Sequence, residues 1–198
     1  PIYASVSGSS GSASSLNVTA KDTSAIDSLA GGAVAAGSIA VGVAVAVNRI
    51  ANDIEARLSG NLVSTGWALN DLNVTATSDA KVQTASVSAG FSGTAAVNAG
   101  VTTNRLNTSA KALIDGGAKV VAQNNIGVIA LDRDVIRSYA AVVSGSGNAA
   151  VSGLVAVNLI DSSTEAGISG GTTSVTALGN GNGLAVDNGT LSNAPDTS

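Results

Sequence analysis

The sequence predicts an all-β chain, a repetitive β-solenoid whose architecture is a parallel β-helix. Three observations carry this. A block recurs around Asn48, Asn104 and Asn158, anchors that stand 56 and then 54 residues apart (104 − 48 and 158 − 104), and periods of tens of residues mark stacked architectures. Within each block, bulky residues alternate with small or polar ones at a period of two, as strands require. Aromatic residues are only 2% of the chain. A compact globule relies on large side chains to fill its centre, so small and β-branched residues point to a thin, layered core.

The blocks align without gaps around their anchors. Val45-Ala46-Val47-Asn48-Arg49-Ile50 matches Val101-Thr102-Thr103-Asn104-Arg105-Leu106 and Val155-Ala156-Val157-Asn158-Leu159-Ile160. Downstream stand Ala56, Ala112 and Ala166, then Leu58, Ile114 and Ile168, then Gly60, Gly116 and Gly170. Upstream stand Gly37, Gly93 and Gly147, and further back Ile26, Val82 and Ile136. Tails at Val74-Thr75-Ala76, Val128-Ile129-Ala130 and Val175-Thr176-Ala177 close the units.

Residues 1–20 end in Leu16-Asn17-Val18-Thr19-Ala20, the tail of a preceding unit, so the chain opens partway through a repeat. The Ser/Gly run Ser7–Ser15 reads as a loop. Repeat 1 covers 21–76. Its stretch Leu29–Val47 carries no charge, and hydropathy alone would propose a membrane helix. Four glycines and the alternation of Val41, Val43, Val45 and Val47 with Gly or Ala argue for a strand with a bulky and a small face. Matching stretches hold Asn98, Thr102, Ser144 and Ser152, which a membrane span would accept poorly. No membrane span is expected. After Asn48, Ile50, Ile54, Ala56 and Leu58 point one way and Asp53, Glu55 and Arg57 the other, a strand with one wet face. The helical spacing of Ile50, Ile54 and Leu58 competes, but Ala110–Ile114 and Thr164–Ile168 keep the two-residue alternation better.

Repeat 2 covers 77–130, with a strand at Lys81–Val87 and a turn signal at Asp115-Gly116-Gly117. Repeat 3 covers 131–177 and is shorter by a loop. Residues 178–198 are a Gly/Asn-rich loop and polar tail, with one further short strand at Leu184–Val186.

Each unit has strands but too little bulk to bury them alone, so like residues must lie over like residues in a continuous core. Asn48, Asn104 and Asn158 are expected to form a structural amide ladder at a corner, where asparagine tolerates left-handed backbone. Three unrelated turn asparagines are the plainer alternative. A rung of roughly 20–28 residues would make each repeat two rungs.

This pattern resembles the repeats of large exoproteins secreted by type V routes, above all leukotoxin-type filamentous adhesins related to filamentous haemagglutinin. Ala150-Val151 through Ala177 is most similar to that family pattern, and Asn98 and Thr102-Thr103 depart from it. The resemblance spans about residues 21–177. It implies a β-solenoid shaft on the surface of, or secreted from, a Gram-negative bacterium, and it transfers no binding residue. No secretion domain or signal peptide is recognisable in the sequence.

Chemistry is sparse. Charged residues are 11% of the chain, net charge is −4, and the basic residues are scattered, so nucleic-acid binding has no electrostatic footprint. No cysteine and no histidine occur. That excludes disulfides, thiolate and histidine metal sites and histidine relays, and the missing cysteine leans towards export. No catalytic residue, cofactor or metal is expected. Asp132 and Asp134 could suit paired carboxylates in sugar hydrolysis, but a solvated face balanced by Arg133 and Arg137 is the blander reading. Gly179–Gly189 lacks the recurring aspartate of calcium-binding glycine repeats. Asn17, Asn73, Asn107 and Asn188 sit in glycosylation-type sequons, at the number composition alone would give. Trp67, in the loop Ser64–Asn70, is the one candidate ligand contact, through stacking on a sugar, set against a plainer role capping the core.

Two functions fit: a non-catalytic shaft segment of a filamentous adhesin, or an extracellular fibre subunit that polymerises by end-to-end stacking. Expected partners are further copies or neighbouring repeats at the solenoid ends, and a host-cell glycan or protein receptor.

Overall fold

The computed structural model describes residues 1–8, 14–61 and 69–179. Among them every regular element is a strand: β1 Ile2–Ser7, β2 Ser15–Asp22, β3 Ala25–Ala36, β4 Ile39–Asn61, β5 Leu69–Ser78, β6 Lys81–Ser92, β7 Ala95–Asp132, β8 Val135–Ser146, β9 Ala149–Ile168 and β10 Ser174–Ala177. The chain is all-β. The segment Ile50–Leu58, which competed as a helix, lies inside β4.

All pairings are parallel. A seven-stranded sheet runs β1-β4-β7-β5-β2, with β9 and β10 also on β7, and a three-stranded sheet runs β3-β6-β8. The register follows the repeat. Asn48 pairs with Asn104 and Asn104 with Asn158; Leu58 lies beside Ile114 and Ile114 beside Ile168; Ile26 lies beside Val82 and Val82 beside Ile136. Every paired residue therefore has its partner 52 to 58 positions on, from Ile2↔Ile54 to Asn61↔Lys119.

Two expectations are corrected by this register. A repeat does not hold two rungs of 20–28 residues, because no described strand pairs with another half a repeat away. One repeat makes one layer. The tail Val175–Ala177 stands beside Val120–Ala122, not beside Val128–Ala130, which pairs with Val74–Ala76. The boundary of repeat 3 at 177 therefore falls partway through a layer. The short tail motif, a β-branched residue followed by two residues ending in Ala, recurs at both places in one layer, and only pairing tells them apart.

Each layer has two parts with opposite interiors. In the first part, here called the head, β1, β2, β5, the second halves of β4 and β7, and β10 surround an aliphatic core. It holds Ile54, Leu58, Leu72, Val74, Ile114 and Val120 with small Ala56, Ala76, Ala112 and Ala118. Asp53 and Arg57 point outward, so the one-wet-face alternation is observed. Burial of each such aliphatic side chain is worth about 1.5–3 kcal/mol. The chain turns sharply at Gly60, Gly116 and Gly170, whose φ angles are +92°, +63° and +99°. A side chain would be strained there, which explains the glycine twelve positions after each anchor.

The second part is an arch. β3 runs out, bends at Gly37-Ser38, and returns as the first half of β4; β6 with β7, and β8 with β9, do the same one layer on. The two arms lie in different sheets and face each other. Their mutual interior is small and polar: Thr84, Ser86 and Ser88 from one arm meet Ala96, Asn98, Thr102 and Asn104 from the other, all buried. A neck of Ile50, Val82, Leu106 and Ala80, flanked by Ile26 and Ile136, separates arch from head.

The bulky face of the Val-rich strand is on the outside. Ala40, Ala44 and Ala46 are buried, while Ile39, Val41, Val43, Val45 and Val47 are 56–71% exposed. The two-faced strand expected from the alternation is present, with its small face inward.

Candidate functional site

The three anchors form a continuous chain of side-chain hydrogen bonds. Asn48 Nδ2 donates to Asn104 Oδ1 at 2.8 Å, and Asn104 Nδ2 donates to Asn158 Oδ1 at 2.8 Å. Thr84 tightens the column, accepting from Asn48 Nδ2 at 2.8 Å and donating to Asn104 Oδ1 at 2.7 Å. Parallel in-register strands put identical amides one layer apart, and this spacing lets each amide bridge to the next. The ladder is not at a corner. Asn48 lies within β4 and is buried, and no residue other than glycine has positive φ among the described residues. Its place is the mouth of the arch, where the interior changes from aliphatic to polar. A second amide pair, Asn73 Nδ2 donating to Asn17 Oδ1 at 3.1 Å, lies on the exposed side of the head. It went unread in the sequence, although the matching tails Leu16–Ala20 and Leu72–Ala76 carried the signal.

Asn98 plugs the arch interior. Its Nδ2 donates to Ser144 Oγ at 2.7 Å in the next layer. A Cβ added at Gly42 or Gly90 would collide with the Asn98 amide, so these glycines are the space the amide occupies. The arms approach closely because nothing larger stands between them.

Asp132 and Asp134 do not form a solvated face. Asp134 accepts from Ser78 Oγ at 2.8 Å and from the Ala80 backbone N–H at 2.9 Å. The Thr108 hydroxyl lies 2.5 Å from Asp134 Oδ2 and 3.0 Å from Asp132 Oδ2. One hydroxyl hydrogen serves only one of these oxygens. Burial pushes the Asp132 carboxyl above the usual range and the Asp134 charge adds to the rise, while the Asp134 backbone N–H and the Thr108 hydroxyl oppose it. Arg133, expected to balance these carboxylates, instead donates two 3.0 Å hydrogen bonds to Asp79 one layer back. Two layers back the same corner is built with other chemistry: Asp22 accepts from Ser24 and from Asn52 Nδ2. Through Ser78, Ala80 and Thr108 the two carboxylates tie their own layer to the one before it.

Elsewhere the wet face of the head is cross-linked between layers. Arg57 donates to Asp115 at 2.8 Å, and Lys111 lies 3.7 Å from Glu165. A shallow groove of about 460 Å³ runs between Tyr3, Glu55 and Arg57. Among the described residues no cluster of acidic side chains could hold a metal ion, and no helix is long and apolar enough to cross a membrane. Trp67 and the glycine-rich stretch from residue 180 lie outside the described residues. Comparison with family models gives no match, and neither curated proteins nor solved structures provide one.

Proposed function

We propose that the chain is a non-catalytic shaft: a parallel β-solenoid, one turn per repeat, from a filamentous adhesin exposed on or secreted by a Gram-negative bacterium. The single observation that carries it is the pairing of each residue with its counterpart one repeat later. Such pairing lengthens a rod without changing its cross-section, which is what a spacer needs. The carboxylate pair is used up in layer-to-layer contacts, which favours a structural role over a catalytic one. The resemblance to type V exoprotein repeats supplies the location and the class of partner, a host-cell glycan or protein.

Duplicating residues 77–130 in frame tests the shaft. The particle should lengthen by about 4.8 Å per added repeat at constant width, measured by small-angle scattering. Growth in width would remove the solenoid reading. Beads coated with the chain and with a loop variant, Trp67→Ala, then test adhesion: binding of host cells by the first and not the second supports a receptor contact at that loop.

The fibre reading draws on one further observation. Leu154 and Ile160 of β9, inward-facing by register, remain 47% exposed, as does Ile168 at 53%. A further layer of the same register would cover them. Filaments that elongate with concentration, seen by electron microscopy, would favour polymerisation over a cut length of shaft.

A further inference from the structure

The outward face of the returning arm is an apolar lattice that the shaft reading does not use. Its rows are Val41/Val97/Val151, Val43/Ala99/Gly153, Val45/Val101/Val155 and Val47/Thr103/Val157, one residue from each of β4, β7 and β9. No Asp, Glu, Lys or Arg occurs over Ser28–Asn48, Thr84–Asn104 or Ser138–Ile160. Only Arg49 and Arg105 border the face, at the neck. The outward side of the opposite arm is also uncharged, with Leu29, Val87, Phe91, Tyr139 and Val143 exposed, whereas the outward side of β4 in the head carries Asp53 and Arg57.

We infer that this face docks against the same face of a second copy of the chain, related by a two-fold axis that runs along the strands through Ala99. The taper of one row selects that geometry. Val43, Ala99 and Gly153 shrink in order across the three layers, and a Cβ at Gly153 would meet nothing within 4 Å. The two-fold reverses the order of layers, so Val43 of each copy enters the space over Gly153 of the other, and Ala99 meets Ala99. The row Ile39/Ala95/Ala149 tapers the same way. The remaining rows are nearly uniform and match themselves. The opposite arm lacks this property. There Phe91 already fills the space over Gly145, whose added Cβ would stand 2.9 Å from the ring.

Area sets the strength. Ten residues by three strands is roughly 33 Å by 14 Å, about 470 Å² per copy. Both copies together bury about 940 Å² before side-chain relief is counted, in the range of weak, transient contacts. The dimer is therefore reversible, and each further repeat would add about 160 Å² per copy. A lipid surface is the poorer occupant: sheet edges would be left unpaired in hydrocarbon, and the face offers no basic cluster to anionic headgroups.

The chain has no cysteine, so single cysteines report the geometry directly. Ala99→Cys and the opposite-arm control Val87→Cys are treated with a short bis-maleimide that spans the roughly 10 Å between packed sheets and followed on reducing gels, alongside sedimentation equilibrium of the unmodified chain and of Val45→Glu. Because both copies of residue 99 meet on the axis, Ala99→Cys should cross-link about tenfold faster than Val87→Cys. The unmodified chain should dimerise with concentration, more strongly at high salt, which screens the paired Arg105 side chains. Val45→Glu, folded by circular dichroism, should remain monomeric; should it not fold, the cysteine rates still decide. Equal cross-linking rates, a monomer at every concentration, or flotation with phosphatidylcholine vesicles without Ala99→Cys cross-linking would each overturn the proposal.

Discussion

The head and the arch are made from the same repeat and the same parallel register, yet they bury opposite kinds of residue. The head encloses Leu58, Ile54 and Ile114 and shows Asp53 and Arg57 to water. The arch encloses Ser88, Asn98 and Thr102 and shows Val41, Val43 and Val45. The difference follows from how many strand segments surround the space. Several segments wind around the head core and leave a volume that only branched aliphatics fill. Two arms folded back on each other leave a slot, filled in the second layer by glycine, alanine, serine, threonine and single amides, and able to take Val142 and Leu154 in the third only because Gly100 stands opposite them. Layer stacking is thus compatible with either interior, and the local geometry chooses which.

The largest effect should come from the head. Leu58→Ala removes a fully buried side chain and should cost about 2–5 kcal/mol in urea unfolding. Val45→Ala, an outward arch position, should change stability by no more than about 0.5 kcal/mol. Equal losses at the two sites would abolish the distinction between the regions.

Asn104→Ala comes next. It removes the acceptor of the Thr84 hydroxyl, one of the two acceptors of Asn48 Nδ2 and the donor to Asn158 Oδ1, and should cost about 1–3 kcal/mol. A double-mutant cycle with Asn48→Ala should show coupling, since the two amides share a bond. Additive losses would mean that the ladder is three separate asparagines.

Gly90→Ala tests the slot. The new Cβ meets the Asn98 amide, and overpacking of this kind costs about 1–3 kcal/mol. Asn98→Ser should recover most of the loss in the Gly90→Ala background. Failure of that rescue would place the conflict in the backbone rather than in the slot width.

The smallest effect concerns the corner between the parts. The folded Asp132 carboxyl titrates above its ordinary value of 3.8. The native state then holds its proton more tightly than the unfolded chain, so stability falls as pH rises through the interval above that value. Asp132→Asn should flatten this fall and raise neutral-pH stability by about 1 kcal/mol, the scale of one hydrogen bond. Urea midpoints at mildly acidic and neutral pH give the comparison. An unchanged pH slope would show that another group carries it.

The register was legible because identical residues mark it. Asn48, Asn104 and Asn158, with Leu58, Ile114 and Ile168 behind them, fixed which residue lies beside which. The strand at Ile50–Leu58 was legible from its charged face. Other features were not. Alternation in Val41–Val47 announces two faces but does not say which is buried, because period two is symmetric under exchange of the faces. The arch orientation depends on Ser86 and Ser88, some forty residues away in sequence, pressing on the small face of the returning strand. Asp132 and Asp134 looked like a wet pair because Arg133 lies between them, whereas Arg133 reaches back one layer to Asp79.

The sequence by itself determined the repeat, the side-by-side placing of equivalent residues and the amide column, because each depends on identity between equivalent positions. Tertiary structure alone decided how much chain separates paired strands, the inward face of each strand and the partners of the carboxylates. Those depend on how far the chain travels before it meets itself, and on whether the space it then encloses is a core or a slot.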